Sequence, residues 1–463
     1  MKNQMKLFFA LSVTLLCSIQ AMAQSKILGD WEGMLNIGSK KIKIIIHVKS
    51  EANVLKTFMD SPDQGAINIP IEQTVITNDS MIISDAKKGI TIKGNYKQEK
   101  DSISANFIQG GGNIPIVFGR SSVKGFVLNR PQTPKPPFPY LVEDVVFVNK
   151  TANNIKLAGT ITIPKDIEKP CVAILISGSG PQNRNEKAFD HEPFLVLSDY
   201  LSRNGIAVLR FDDRGTAQSE GDFKSATSYD LSTDVEAAFE YLLTRNDIDK
   251  EKIGLIGHSE GGLIAPLLAA RNDNIAFVIS LAGPAVEIDK LMLKQIEDLA
   301  VSESNTAEQI KYRIDLNSEV FTAIKSIDDV TQLEIKTRDI LTKNSFANND
   351  KKSHDNFIKR ITSPWFRYFI KYNPKLALEK IHCPVLAING NLDKQVNAEM
   401  NLEAMRAALT EANNPDFTIQ YLPGLNHGFQ EAKTGNVAEY TMIEQTMSPL
   451  ALETVAKWIR KRF

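Results

Sequence analysis

A serine flanked by glycines is the first feature of the chain that could perform chemistry. Ser259 lies in the segment Gly257-His258-Ser259-Glu260-Gly261, between an apolar run and a helical pattern. A serine at a strand-to-helix turn is either the N-terminal cap of the helix or a nucleophile that attacks a carbonyl carbon. A nucleophilic serine needs a histidine that takes its proton and a carboxylate that orients the histidine.

Three histidines follow Ser259 in the chain, and one of them fits the role of the base. His354 lies in a charged segment, and His382 precedes a predicted strand, which places it at the opposite end of the sheet from Ser259. His427 comes shortly after the predicted strand 417–422 and should emerge at the sheet edge where Ser259 lies. His427 is therefore the candidate for the base.

Asp393 is the candidate for the carboxylate. It comes shortly after the predicted buried strand 385–388 and should emerge at the same sheet edge as the serine and the histidine. Glu260 and Asp289 are the alternatives for this acid. The order serine, aspartate, histidine along the chain is the order expected on folds that carry a nucleophile at such a turn.

The elements that would position these side chains alternate between strands and helices from residue 140 to residue 463. Near-continuous apolar runs, typical of strands buried on both faces, are separated by helical patterns. The runs are 171–176, 206–211, 253–256, 275–281, 385–388 and 417–422. Residues 145–148 and 157–163 predict an antiparallel pair that opens the sheet. The alternation predicts an α/β fold with a mostly parallel sheet covered on both faces.

One interval interrupts this alternation. The residues from about 285 to 380 show helical patterns and no clear strand. A loop of that length without secondary structure is uncommon in a compact domain. The interval is therefore predicted to be a helical cap inserted into the α/β domain.

Residues 24–128 differ from the rest of the chain because their patterns are those of strands only. Residues 41–49 alternate between isoleucine or valine and mainly lysine, as expected of a half-buried strand. The region is predicted to be an antiparallel β domain, either a barrel or a sandwich. Its segment GDWEG (residues 29–33) resembles the Gly-x-Trp start of lipocalin-like barrels. Five prolines lie between residues 131 and 139, so residues 129–139 are predicted to be an extended linker.

Residues 1–23 have the composition of a secretory signal peptide. A basic start precedes the almost wholly apolar residues 7–19, and Ala21 and Ala23 supply the small side chains that signal peptidase requires. We expect cleavage after Ala23 and a mature protein that is periplasmic or secreted, with no stable membrane span. An uncleaved anchor and a lipoprotein modified at Cys17 are the alternatives.

Composition and charge exclude several other classes of protein. The 463-residue chain has 24% charged residues and a formal net charge of −1, so nothing in its charge favours nucleic acid as a partner. The sequence contains no phosphate-binding glycine loop with its lysine, no paired-cysteine zinc spacing and no His-Glu-x-x-His motif. The predicted serine chemistry requires neither a metal nor an organic cofactor. Its partner would be a small-molecule ester or a short peptide.

Five segments in a fixed order give residues 140–463 a resemblance to the α/β-hydrolases, close to the branch of exported esterases and serine-aminopeptidase-like enzymes. The segments are ISGSGPQNRNE (176–186), FDDRGTAQSEGDF (211–223), GHSEGG (257–262), INGNLDKQV (388–396) and GLNHGF (424–429). The resemblance implies an α/β-hydrolase sheet with Ser259 as nucleophile, His427 as base and Asp393 as orienting acid.

The resemblance also implies an oxyanion hole, which consists of backbone N–H groups that stabilise the negative oxygen of the reacting carbonyl. One N–H would come from Glu260, directly after the nucleophile. The second would come from the turn that follows the run 171–176, where alignment with the family favours Ser179 and leaves Gly180 as the alternative.

Five residues are candidates for the wall of a substrate pocket. Gly180, Asn183 and Arg184 lie in or shortly after the oxyanion turn. Trp365 and Phe366 lie in an aromatic cluster of the predicted cap and could form an apolar wall. A solvated loop for the first group, and a helix packed on the core for the second, are the structural alternatives.

The sequence therefore leads to one main hypothesis and two alternatives. The main hypothesis is an exported serine hydrolase that cleaves carboxylic esters through an acyl-enzyme. The first alternative is a peptidase of the same fold, which needs a carboxylate to hold the substrate's α-amine; Glu297, Asp298 and Glu303 of the cap are candidates. The second alternative is a ligand-binding protein whose hydrolase domain is inactive.

Overall fold

The computed structural model describes residues 26–37, 40–51, 54–64, 66–122, 129–344 and 351–463. The predicted signal peptide lies outside the described residues and stays a prediction. The described residues form two compact units, of which the first extends to Asn129 and also includes Ala438–Met442. The second contains Arg130–Val437 and Ile443–Phe463. In the described part of the chain, no helix has both the length and the apolar character needed to cross a membrane.

The first unit contains an antiparallel sheet of nine strands within its described residues. They are β1 (Gly29–Ile37), β2 (Lys40–Glu51), β3 (Val54–Ser61), β4 (Ala66–Ile71), β5 (Gln73–Thr77), β6 (Ser80–Asp85), β7 (Ile90–Lys97), β8 (Ser102–Gln109) and β9 (Gly112–Arg120). Their order in the sheet is β4-β3-β2-β1-β9-β8-β7-β6-β5. Near the two ends of the sheet, Thr74 Oγ1 of β5 donates a hydrogen bond of 2.8 Å to Thr57 Oγ1 of β3. The sheet is therefore a nearly closed barrel.

The alternating apolar side chains of β2 contribute to the core of this barrel, and one polar residue on the other face of the strand departs from the expected exposure. Ile44, Ile46 and Val48 are buried in the barrel core. His47 lies on the opposite face of the strand, as its register predicts, but it is only 2% exposed. Its Nδ1 and Nε2 lie 2.7 Å and 3.0 Å from carboxylate oxygens of Asp30 and Asp60. Burial alone would lower the pKa of His47, but the hydrogen bonds and charges of the two carboxylates raise it.

The second unit is built on a sheet of eight strands within its described residues. They are β10 (Tyr140–Asn149), β11 (Ile155–Pro164), β12 (Val172–Ile176), β13 (Ala207–Phe211), β14 (Ile253–His258), β15 (Phe277–Leu281), β16 (Val385–Gly390) and β17 (Phe417–Leu422). Their order is β10-β11-β13-β12-β14-β15-β16-β17. β11 pairs antiparallel with β10 and β13, and the remaining pairs are parallel. This is the mostly parallel sheet that the apolar runs predict.

Helices of the second unit cover both faces of this sheet. The α-helices after β12 are, in chain order, α1 (Pro193–Arg203), α2 (Ser228–Thr244), α3 (Gly261–Ala269), α4 (Ile288–Ser302), α5 (Ala307–Ser326), α6 (Val330–Lys343), α7 (Lys351–Ile361), α8 (Pro364–Lys371), α9 (Lys375–Leu378), α10 (Ala398–Glu411), α11 (Val437–Tyr440) and α12 (Pro449–Arg460). Residues 438–440 of α11 belong to the first unit. In β12, Val172, Ile174 and Ile176 pack into the core under α2 and α3, whereas Ala173 and Leu175 pack into the core under α1 and α12. Two apolar faces explain why the strand is a continuous apolar run.

The cap is the part of the second unit between β15 and β16. It contains the helices α4 to α9, so the interval predicted to be a helical insertion is helical where the structure describes it. Apolar residues of all six of these helices, α4 to α9, are part of the same core as α2 and α3, among them Phe321 and Phe366. The cap is therefore packed on the sheet domain through a shared apolar core.

The strand order fixes where a site can form. β12 and β14 are neighbours, but the chain leaves β12 toward β13 on one side and continues from β14 toward β15 on the other. Such a reversal of direction leaves a crevice at the carboxyl ends of the two strands. The oxyanion turn 177–180 follows β12 and Ser259 follows β14, so both lie at this crevice.

Candidate active site

The turn from Gly257 to Gly261, here called the elbow, holds Ser259 in a strained backbone conformation. The φ angle of Ser259 is 53°, in the left-handed region that L-residues rarely adopt. A Cβ added to Gly257 would lie 1.9 Å from the carbonyl oxygen of Gly261. A Cβ added to Gly261 would lie 2.1 Å from the carbonyl oxygen of Ile176. The glycines are thus required by the tight approach of the backbone.

Ser259 is not the cap of the helix that follows. The N-cap position of α3 is occupied by Glu260, and no side chain makes a capping hydrogen bond there. The Ser259 N–H donates to the carbonyl oxygen of Leu281 on the neighbouring strand at 2.9 Å. The strained turn and this backbone anchor are features of a nucleophile elbow rather than of a capping serine.

Gly257→Ala is expected to destabilise the second unit by about 3 kcal/mol or more, because its Cβ overlaps backbone atoms that cannot move away. The loss corresponds to a fall of at least about 5 °C in the thermal midpoint of that unit, measured by calorimetry. Gly428→Ala is the matched control for stability, since the nearest atom to its Cβ would be 3.6 Å away. An unchanged midpoint for Gly257→Ala would contradict the steric argument.

His427 and Asp393 form a buried pair at the same sheet edge. His427 Nδ1 lies 2.7 Å from Asp393 Oδ2. The other carboxylate oxygen, Oδ1, accepts the backbone N–H groups of Gln395 at 2.7 Å and of Val396 at 2.9 Å. These contacts fix the carboxylate, so the Nδ1 proton of the imidazole points to Asp393 and the lone pair of Nε2 remains available.

The structure brings Ser259 to the same edge without a hydrogen bond to the histidine. Among the hydrogen bonds of the described residues, none joins the Ser259 hydroxyl to the His427 imidazole. His258, which directly precedes Ser259 in the chain, lies beside His427, with the centroids of the two imidazole rings 4.9 Å apart. In unliganded enzymes the contact between nucleophile and base is often long and shortens when substrate binds.

The turn after β12 lies against the elbow. A Cβ added to Gly178 would be 3.2 Å from the Ser259 Cβ. The Gly178 N–H is occupied, because it donates to Glu186 Oε1 at 2.7 Å. In the part of the chain that the structure describes, the backbone N–H groups of Ser179, Gly180 and Glu260 donate no hydrogen bond. Ser179 and Gly180 therefore both stay available as the second oxyanion donor beside Glu260.

The side chain of Glu260 connects the elbow to the cap. It is 1% exposed, and its Oε1 accepts the Ser228 hydroxyl at 2.6 Å and the Trp365 indole N–H at 2.8 Å. Burial raises the pKa of this carboxyl. Because the carboxyl is bound to Ser228 and Trp365, Glu260 is not the acid that orients His427.

The other alternative for the acid is also excluded. Asp289 lies in α4 of the cap, and its carboxylate pairs with Lys325 at 2.8 Å. Asp213, at the end of β13, lies closer to the elbow but binds the Ser177 hydroxyl and the Gln182 N–H, both at 2.9 Å. Burial raises the pKa of Asp213 to about 8. Of the predicted acids, only Asp393 contacts the imidazole of His427.

Two of the predicted pocket residues make extensive structural contacts. The guanidinium of Arg184 binds both carboxylate oxygens of Asp212, at 3.1 Å and 2.7 Å, and also the carbonyl oxygen of Gly159. Phe366 is 4% exposed and packs in the core against Phe321. Arg184 and Phe366 are thus each held by groups that lie far from them in the chain, and their place in a substrate pocket stays a prediction.

The remaining pocket candidates have different surroundings. Gly180 has no atom within 4 Å of an added Cβ, so open space lies above this turn. The Asn183 Oδ1 accepts the backbone N–H of Asn185 at 3.0 Å and orders the loop. Trp365 is partly buried, stacks on Phe369 at 5.0 Å and reaches the elbow through Glu260. Among the pocket candidates, Trp365 links the cap to the elbow through its hydrogen bond to Glu260.

Sequence reasoning missed one pair at the centre of this site. His258 Nδ1 lies 2.9 Å from Glu186 Oε1, and His258 Nε2 lies 3.0 Å from the carbonyl oxygen of His427. His258 is visible in the sequence as the residue before the serine, but nothing in the sequence shows that Glu186 reaches it. Among the described residues, no group of three or more histidine, cysteine or acidic side chains could hold a metal ion.

Comparison with known families identifies the family of the chain. Residues 193–431 match the family described as serine aminopeptidase, S33. The chain belongs to this family. Because the match spans β13 to β17 and contains Ser259, Asp393 and His427, the second unit is the hydrolase domain of a serine aminopeptidase S33 family member with the α/β-hydrolase fold.

Individual proteins similar to this S33 family member include esterases. Esterase EstD of Thermotoga maritima is 22% identical over 325 residues, which cover 70% of each chain. Among solved structures, an esterase of Pyrococcus furiosus is similar with a TM-score of 0.44 at 16% identity, covering 73% of this chain and 98% of that one. Est1E of Butyrivibrio proteoclasticus with bound ferulic acid has a TM-score of 0.39 at 20% identity, covering 67% and 95%.

Proposed function

We propose that this protein is a serine hydrolase that cleaves carboxylic esters through an acyl-enzyme. The observation that carries the proposal is the combination of a strained Ser259 with a φ of 53° and the His427–Asp393 pair at the same sheet edge. A strained elbow has a cost in stability of about 1–3 kcal/mol, which is expected where the strain serves function. The triad order and the family membership support the same conclusion.

In the proposed reaction, Ser259 attacks the ester carbonyl while Nε2 of His427 accepts the hydroxyl proton. Asp393 holds the Nδ1 proton of His427 and stabilises the imidazolium that forms. Backbone N–H groups of Glu260 and of Ser179 or Gly180 stabilise the oxyanion, and they lie beside the N-terminus of α3, whose dipole favours negative charge. The imidazolium protonates the leaving alcohol, and water then releases the acid by the same route.

The cap gives a specific reason to prefer an ester over a peptide substrate. A peptidase that releases N-terminal residues needs a free carboxylate to bind the α-amine. Lys294 pairs with Glu297 at 2.9 Å and with Asp298 at 2.8 Å, and Arg313 pairs with Glu303 at 3.0 Å. Each of the three predicted amine-binding acids is therefore already ion-paired with a basic residue of the cap, although Glu297 and Asp298 share one lysine.

A serine aminopeptidase is the second candidate function, because the matched family carries that description. We expect the purified protein to hydrolyse p-nitrophenyl acetate or butyrate at least about 100-fold faster, as kcat/KM, than any of a panel of aminoacyl p-nitroanilides. Both substrates release p-nitrophenol or p-nitroaniline, so one spectrophotometric assay compares them. Fast anilide cleavage with negligible ester turnover would reject the esterase in favour of the peptidase.

Labelling by a fluorophosphonate separates both enzymes from an inactive ligand-binding protein. We expect the wild type to be labelled and Ser259→Ala not to be labelled.

The proposal also includes export with removal of residues 1–23. Sequencing the N-terminus of protein recovered from the periplasm or the medium should then begin at Gln24. Recovery of the uncleaved chain from membranes would instead support an N-terminal anchor.

A further inference from the structure

We propose that Glu186 and His258 form a positioning pair that holds the oxyanion turn, the elbow and the loop of His427 in register, and that the pair functions only while His258 is an imidazolium. The inference rests on the proposed serine-hydrolase function, which it extends by two residues that do not touch the reacting atoms. It is carried by a chain of three hydrogen bonds.

The three hydrogen bonds join loops that follow three different strands. Glu186 Oε1, in the loop after β12, accepts the Gly178 N–H of the oxyanion turn at 2.7 Å and lies 2.9 Å from His258 Nδ1. His258 Nε2, at the end of β14, lies 3.0 Å from the carbonyl oxygen of His427, in the loop after β17. Glu186 and His258 together therefore link the oxyanion turn to the loop of His427.

The partners of His258 determine its charge. A carboxylate oxygen and a carbonyl oxygen can only accept hydrogen bonds, so both ring nitrogens of His258 must carry a proton to satisfy them. An imidazole with two protons is the cation, and the Glu186 carboxylate balances its charge. The side chains are 15% and 6% exposed, so water does not substitute readily for either contact.

The electrostatic surroundings agree with a charged His258. Burial lowers the pKa of this imidazole, but the charge and hydrogen bond of Glu186, the carbonyl oxygen of His427 and the charge of Asp393 together raise it to about 9. Glu186 and His427 contact His258 directly, and the Asp393 carboxylate acts on it through its charge. A group whose pKa is raised in the folded state keeps its contacts at low pH and loses them as the pH rises through that value.

Loss of the His258 proton is expected to lower kcat. A neutral imidazole has one N–H, so it cannot donate to both Glu186 and the His427 carbonyl oxygen. Either the oxyanion turn or the loop that carries the base then loses its anchor, and a displacement of about 1 Å at a catalytic group can cost about 100-fold in rate. The wild-type kcat should therefore decline on the alkaline side with an apparent pKa near 9.

Glu186→Gln is the decisive variant. Its amide oxygen can still accept both hydrogen bonds, but the negative charge that stabilises the imidazolium is gone. We expect a kcat reduced about 10- to 100-fold at pH 7, and an alkaline limb of the kcat profile shifted at least one pH unit lower. His258→Gln should lower kcat similarly and remove this limb, because the titrating group is absent. Glu186→Asp, which keeps the charge, should lower kcat but retain the limb near its wild-type position.

His47→Gln is the matched control. His47 of the barrel also lies between two oxygen acceptors, so its replacement removes an equivalent buried imidazole that no part of the proposed machinery contacts. We expect its kcat profile to be that of the wild type. The rates are measured on p-nitrophenyl butyrate from pH 6 to pH 10, after subtraction of spontaneous hydrolysis.

The outcomes separate this inference from the proposed function. An unchanged alkaline limb in Glu186→Gln, with Ser259→Ala inactive, would overturn the positioning pair and leave the serine hydrolase intact. A lower thermal midpoint and lower kcat without a shifted limb would show a merely structural role, which also overturns it. Full ester turnover by Ser259→Ala would overturn the function itself. If Glu186→Gln does not fold, the presence of the limb in Glu186→Asp and its absence in His258→Gln provide the same test.

Discussion

Ser259→Ala is expected to reduce kcat for ester hydrolysis by at least about 10⁴-fold while the protein stays folded. The hydroxyl is the only group of this residue that can form the acyl-enzyme, and alanine cannot replace it. Alanine has the same Cβ as serine, so the strained φ of 53° costs about the same in both proteins. The free energy of unfolding should therefore change by less than about 1 kcal/mol.

Ser304→Ala is the control for this result. Ser304 is an exposed serine with a φ of 60° in the loop after α4, so the substitution is the same and so is the backbone conformation. Turnover of p-nitrophenyl butyrate and the thermal midpoint are measured for both variants and the wild type. Substantial activity in Ser259→Ala, or a large loss of stability with residual activity, would show that Ser259 has a structural role.

Asp393→Asn is expected to lower kcat by about 10⁴-fold with little change in KM. The position of Oδ1 accepts two backbone N–H groups, so the asparagine oxygen must occupy it. The amide NH₂ then replaces Oδ2 and points at His427 Nδ1. Since two donors cannot face each other, the imidazole proton moves to Nε2, and Nε2 can no longer accept the serine proton.

Asp416→Asn is a suitable control. Asp416 lies directly before β17, and its carboxylate pairs with Arg462 at 2.7 Å, away from the site. Its kcat should stay within about twofold of the wild type. The fold of Asp393→Asn is checked by circular dichroism and its thermal midpoint. Activity near the wild-type level in folded Asp393→Asn would show that Asp393 is not the acid that orients His427.

The sequence predicts the α/β sheet well because its strands are buried on both faces. β12 to β17 are short apolar runs, and each lies within about two residues of its predicted position. The elbow is predicted for a similar reason, since only glycine fits at Gly257 and Gly261. These features depend on local pattern, and local pattern is what a single sequence contains.

Four strands of the barrel were harder to predict. β4 contains Pro70 and β9 contains Pro115, and proline usually argues against a strand. The structure tolerates them because β4 is at the end of the sheet order and β9 pairs with β1 only at Gly119 and Arg120. β1 contains an internal glycine, Gly33, and β5 has only five residues, so neither shows a clear alternation.

The contacts of the site that the sequence does not reveal depend on partners far away in the chain. Arg184 lies in a loop where a sequence suggests a pocket rim, but Asp212 at the end of the next strand binds it. Glu186 and His258 are 72 residues apart, and only the fold brings them to 2.9 Å. Predicting such pairs requires the arrangement of loops, which neither periodicity nor motif spacing provides.

The position of the cap in the chain has a consequence for how this enzyme could diversify. The acid and the base arise from loops after β16 and β17, and the nucleophile from the loop after β14, so the inserted interval 288–378 supplies none of the three. Under the proposed function, mutations in this interval would leave the three residues of proton transfer unchanged. Trp365 is the exception, because its indole N–H is hydrogen-bonded to Glu260, the residue directly after the nucleophile. A substitution of Trp365 would therefore also affect the elbow.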